Sequence, residues 1–223
     1  MPAQAILWTI IGFFSGSLMF SVWVGRAGLG KDIRQVGDQN PGATNVLRSG
    51  GKGLFALAFA LDVLKAAIPV GIAYWAVGIR DAWLIPVALA PVVGHAYSPW
   101  LRFRGGKAMA TSFGLWMALT LFVVPAVGGM MLALGYALVT TSGWAVVFLT
   151  AVMIPFIAVT FADPVFTAIA VLNFTLLLVK YRADLRRPPV LRSWLIRRIW
   201  PNSSSSSPPP PSAELPESPS SMP

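Results

Sequence analysis

The chain has no cysteine and only one histidine, His95. Neither a disulfide nor a cysteine or multi-histidine metal site can be assembled, and the redox compartment stays undecided. Charge is also scarce. Only 11% of the 223 residues are charged, against about 25% in an ordinary soluble domain. Residues 108–179 carry Asp163 as their one charged side chain. The apolar segments also lack the polar stripe at helical period that a soluble helical domain needs.

What is present is apolar: 56% of residues are hydrophobic and the mean hydropathy is +0.68. A span needs about 20 apolar residues. Spans are predicted at 3–25, 53–78 and 82–101, and four more within 108–179, broken near 125–129, 140–143 and 162–164. The fold class expected is therefore all-α, a polytopic membrane bundle of about seven helices. The first segment has no basic n-region and too long an apolar run for a cleaved signal peptide.

Basic residues give the orientation. Arg26, Lys31, Arg34, Arg48 and Lys52 follow span one, and Arg102, Arg104 and Lys107 follow span three. Lys180, Arg182, Arg186, Arg187, Arg192, Arg197 and Arg198 follow the last span. With seven spans all three segments share one side, which the positive-inside rule makes cytoplasmic, leaving the N-terminus outside. Residues 1–200 form the membrane domain, and the Ser/Pro-rich tail 201–223 is expected to be disordered. The net charge of +9 is explained by topology and anionic lipid headgroups rather than by nucleic acid.

Two loops carry chemistry. Residues 32–48 combine turn formers Gly37, Pro41 and Gly42 with Asn40, Thr44, Asn45 and Arg48. Glycines admit an oxyanion close to backbone N–H groups, and arginine grips phosphate in bidentate fashion. A solvated, turn-rich connector is the alternative. Residues 102–111 place Gly105-Gly106-Lys107 just before a helical run, where free N–H groups and a positive helix end favour an anion. Here the alternative is a positive-inside anchor. The spacing is not that of a Walker A loop. His95 reads as a packed side chain or as a base. Asp62 and Lys65, one helical turn apart within span two, read as a structural ion pair or as a pair shaping a polar site.

Together these residues resemble the bacterial acyl-phosphate:glycerol-3-phosphate acyltransferases, the PlsY family. The resemblance rests on Gly16-Ser17, Asp32-Ile33-Arg34, Gly37, the run from Asn40 to Arg48, Leu61-Asp62 with Lys65, Gly94-His95, and Phe103 to Lys107 with Ala110-Thr111. It implies a seven-helix enzyme of the bacterial inner membrane that moves a fatty acyl group from acyl phosphate to glycerol 3-phosphate, giving lysophosphatidate. No cofactor, metal or His-Asp dyad is implied; position 100 is tryptophan. Arg48 and Lys107 would be catalytic, and Asn40, Thr44, Asn45, Gly105 and Gly106 would bind substrate phosphate.

The departures gather in one place. Gly37-Asp38-Gln39-Asn40 stands where the family has Gly-Ser-Gly-Asn, and Ala108 where it has glycine after the lysine. Tyr181-Arg182-Ala183-Asp184 stands for a His-Arg-x-Asn motif. Asp38, Tyr181 and Asp184 therefore join His95, Asp62 and Lys65 as further site candidates. The alternative function is a non-catalytic relative that binds lipid phosphate or modulates an active paralogue.

Overall fold

The computed structural model describes residues 2–195, so the tail 201–223 lies outside the described residues. Among the described residues nine α-helices follow in order: α1 (Pro2–Ser17), α2 (Phe20–Leu29), α3 (Ala43–Arg48), α4 (Lys52–Gly71), α5 (Leu84–Ala96), α6 (Met109–Thr120), α7 (Val123–Leu138), α8 (Ser142–Phe161) and α9 (Pro164–Leu185). The sole β feature there is one bridge, Val139 to Leu191. Five segments are long and apolar enough to cross a membrane: 2–29, 52–76, 81–101, 143–161 and 164–185. Their outward faces carry Ile6, Leu7, Ile10, Phe14, Leu57 and Ile68, all exposed. Such side chains match lipid rather than water.

The first three expected spans and the last two coincide with these segments. The break expected at residues 125–129 is displaced. It falls at Leu121, whose backbone has a positive φ of 53°. Pro125 instead occupies the first turn of α7, where a missing N–H costs nothing, and Gly128 and Gly129 continue that helix. Thr120 makes the turn: its hydroxyl donates to the Trp116 carbonyl at 2.7 Å and accepts from the Val124 N–H at 3.3 Å. Asp163 starts α9 by accepting from the Val165 N–H at 2.7 Å, with Pro164 as the first helical residue.

Small residues hold the bundle together, as expected where lipid offers no hydrophobic drive between helices. A Cβ on Gly16 would lie 2.0 Å from the Pro91 carbonyl oxygen, and one on Gly94 2.2 Å from that of Phe13. These contacts weld α1 to α5. A Cβ on Gly114 would meet the Val63 oxygen at 2.0 Å, which fixes α6 on α4. The α1–α2 break at Leu18 leaves a carbonyl that accepts from Lys65 Nζ at 2.7 Å. After α9 the chain folds back along the α7–α8 turn, with the Thr140 N–H donating to Val190 at 2.8 Å and the Arg192 N–H to Leu138 at 2.9 Å.

Candidate active site

The segment between α2 and α3 is fixed at its start. Asp32 caps a short 3-10 turn by accepting from the Arg34 N–H at 3.1 Å, and its carboxylate also takes Arg34 Nη2 at 2.5 Å and Arg26 Nη2 at 3.0 Å. The Arg34 hydrogen bond, with Arg26 beside it, holds the Asp32 carboxyl well below the usual carboxylate range despite some burial. Ile33 is fully buried against Gly25, where a Cβ would come within 2.5 Å of its Cγ2.

Beyond this anchor the chain turns at Gly37 (φ 59°). A side chain at Gly37 would meet Arg48 Nη1 at 2.6 Å and Asn45 Oδ1 at 2.8 Å. Helix α3 then presents Asn45 and Arg48 one turn apart. Asn45 Nδ2 donates to the Asn40 carbonyl at 2.9 Å and to Asp38 Oδ1 at 3.0 Å. Arg48 Nη1 donates to Asn45 Oδ1 at 3.0 Å and to Asp38 Oδ1 at 3.3 Å.

The second loop is pressed onto the end of α5. The Gly106 N–H donates to the His95 carbonyl at 3.0 Å. A Cβ would meet that oxygen at 2.0 Å from Gly105, or His95 Nε2 at 2.2 Å from Gly106. These glycines are thus required by close approach to His95, and the Gly106 N–H is already used by the fold. Ala108 enters α6 through a left-handed residue, φ 62°, the conformation that glycine adopts without strain. Lys180 Nζ clamps the loop from α9, donating to the Ala96 carbonyl at 2.7 Å and the Gly105 carbonyl at 3.2 Å.

Lys107 joins the two loops across 67 residues of sequence: its N–H donates to Asn40 Oδ1 at 2.9 Å. Its ammonium is held by Asp38 Oδ2 at 2.7 Å and Asp184 Oδ2 at 2.6 Å, and lies 5.0 Å from the Tyr181 ring centroid. Burial pushes the Asp38 carboxyl up, but hydrogen bonding and charge from Lys107, with help from Asn45 and the Asn40 N–H, leave it below its ordinary value.

Seven sequence candidates therefore converge: Asp38, Asn40, Asn45, Arg48, Lys107, Tyr181 and Asp184. Thr44 is exposed and makes no side-chain hydrogen bond with the others. Asp62, Lys65 and His95 form a separate buried cluster. Lys65 Nζ donates to Asp62 Oδ1, the Leu18 carbonyl and His95 Nδ1, each at 2.7 Å, while Ser21 donates to Asp62 Oδ2 at 2.5 Å. His95 accepts at Nδ1, so its proton sits on Nε2, toward Gly106. This fits a packed, hydrogen-bonded histidine at the back of the second loop.

Three contributors escaped sequence reasoning. Lys180 looked like one more basic residue at a helix end. Tyr136 of α7 lies within electrostatic reach of Arg48, Asp38 and Asp184. Gly143 lets Asp184 pass, since a Cβ there would lie 2.4 Å from the Asp184 Cβ. A glycine opening the helix that faces a basic segment was the only available signal.

Known proteins resemble this chain in sequence and in fold. Residues 6–188 match the family model described as glycerol-3-phosphate acyltransferase. A glycerol-3-phosphate acyltransferase of Anaeromyxobacter sp. (strain Fw109-5) is 38% identical over 181 residues, covering 79% of this chain and 88% of the relative. That of Ruegeria pomeroyi is 48% identical over 115 residues, 51% of this chain and 55% of the relative. The chain also superposes on crystal structures of PlsY, an integral membrane glycerol 3-phosphate acyltransferase. Its glycerol 3-phosphate form gives a TM-score of 0.74 at 30% identity over 82% of this chain and 90% of the other. Its lysophosphatidic acid form gives 0.73 at 28% identity over the same shares.

Proposed function

This chain belongs to the glycerol-3-phosphate acyltransferase family, and on that premise we propose that it moves a fatty acyl group from acyl phosphate to a hydroxyl of glycerol 3-phosphate, forming lysophosphatidate for phospholipid synthesis. One observation carries the reading. Asn40, Asn45 and Arg48 of one loop and Lys107 of another meet within hydrogen-bonding distance, although Asp38 and Lys107 are 69 residues apart.

The chemistry asks little beyond positioning. The acceptor oxygen attacks the acyl carbonyl carbon, the new C–O bond forms, and the bond to the phosphate oxygen breaks. Inorganic phosphate leaves and takes up the hydroxyl proton. Two phosphate-bearing substrates repel each other, and Arg48 and Lys107 offset that repulsion at the developing charge. Asn40 and Asn45 set the phosphates in place, with Thr44 at the exposed rim, while Gly105 and Gly106 let the second loop close on His95 and so present Lys107. The enzyme works in the bacterial inner membrane, with the site on the cytoplasmic side and the acyl chain in the bilayer.

The test is direct. Purified protein given radiolabelled glycerol 3-phosphate and palmitoyl phosphate should form labelled lysophosphatidate and release phosphate in equal amount. Arg48→Ala and Lys107→Ala should each lower kcat/KM by about 100- to 1,000-fold, the usual loss when one donor to a developing oxyanion is removed. If the wild-type protein yields no product under conditions where a relative turns over, the acyl phosphate reading falls and lipid-phosphate binding without catalysis takes its place.

A further inference from the structure

Lys107, Arg48, Asn45 and the Asn40 N–H, the donors that would hold a substrate phosphate, are already holding a carboxylate. Lys107 Nζ is bonded to Asp38 at 2.7 Å and to Asp184 at 2.6 Å. Asp38 also accepts from Asn45 Nδ2 at 3.0 Å, Arg48 Nη1 at 3.3 Å and the Asn40 N–H at 3.4 Å. The two cations and two carboxylates leave the site with no net charge. Lys107 is the most enclosed member, its side chain 16% exposed, while Asp38 remains 35% exposed. The carboxylate on the open side is thus the one that can swing outward.

We infer that Asp38, assisted by Asp184, fills the phosphate site of the empty enzyme and sets substrate affinity, so that a phosphate enters by exchanging with the Asp38 carboxylate. This inference rests on the site assignment proposed above. A phosphate placed on Lys107 and Arg48 with Asp38 still in position would face a carboxylate bonded to the same donors, and like charges at that distance repel strongly. Once displaced, Asp38 leaves behind donors already oriented for an oxyanion: two cations, an amide and a backbone N–H. The resting site is therefore preorganised by an internal stand-in for the substrate's own charge. Asp184, 22% exposed and wedged beside Gly143, competes for the same Lys107 ammonium from the other side.

The probe is inorganic sulfate, a dianion that does not titrate in the working range, added to the full chain in detergent and followed by calorimetry. Asp38→Asn keeps the shape and an acceptor oxygen but removes the charge. It should lower the sulfate Kd about tenfold and the KM for glycerol 3-phosphate by a similar factor. The gain should vanish in Asp38→Asn/Lys107→Met. Asp163→Asn, which alters a carboxylate capping α9 away from the site, should leave the sulfate Kd unchanged. Asp184→Asn frees the same ammonium from the other side and should tighten sulfate as well, so the inference stays testable if Asp38→Asn fails to fold. An unchanged or weaker sulfate Kd in the folded aspartate variants overturns the exchange. Sulfate binding is read without turnover, so failure of the acyl phosphate assay would leave this outcome independent.

Discussion

Lys65 shows what one side chain must satisfy inside the bundle. Its ammonium has three protons and three acceptors, Asp62, the Leu18 carbonyl and His95 Nδ1, and both members of the ion pair are 1% exposed. The sequence made the Asp62–Lys65 pairing legible, because residues one turn apart on a helix share a face. It could not disclose the other two acceptors, which come from a helix break in α1–α2 and from α5. Removing one partner of such a pair strands a buried charge, at about 3–5 kcal/mol. Lys65→Met should therefore lower the thermal midpoint in detergent sharply, and Asp62→Leu/Lys65→Met should recover most of the loss. A single variant as stable as the wild type would mean that the pair does not support the fold.

At the scale of elements, sequence and structure part company where breaks lack Pro or Gly. The α8–α9 turn was legible because Asp163-Pro164 is a cap followed by a first-turn proline. The α6–α7 turn was not, since Thr120 and Leu121 carry no such mark and the nearby Pro125, Gly128 and Gly129 pointed into α7 instead. The second loop was legible as a glycine-framed lysine, but its physical reason was not. The glycines are there because α5 ends with His95 against the loop, a tertiary fact. Gly106→Ala should accordingly remove activity by pushing the loop off His95, since a methyl group would sit 2.2 Å from Nε2 of a buried ring. The expected readout is a lysophosphatidate rate reduced at least 100-fold, with a lowered thermal midpoint. Near-normal rates in that variant would show that the loop can shift without consequence.

For the whole molecule, the contacts that build the site also constrain how the chain is threaded. The loop after the first span, the loop after the third and the end of α9 all meet at Lys107, so these basic segments lie at one end of the bundle. The α7–α8 turn is there too, with Gly143 against Asp184 and Trp144 Nε1 donating to the Arg187 carbonyl at 2.8 Å. From Lys107 the chain therefore leaves in α6, returns in α7, leaves in α8 and returns in α9. Helices α6 and α7 have 12 and 16 residues, about 18 and 24 Å of rise, short of the roughly 30 Å hydrocarbon layer. They complete a traverse only with help from their flanking turns or a locally thinned bilayer. Seven traverses in all would place the two ends of the membrane domain on opposite sides, and the clustered arginines and lysines would put the site in the cytoplasm. A reporter active only in the periplasm should score at the N-terminus, while one active only in the cytoplasm should score when fused after residue 195. A cytoplasmic N-terminus would overturn this orientation, because the loop that follows the first span would then face outward together with Arg48 and Lys107, and both ends scoring on one side would break the odd count.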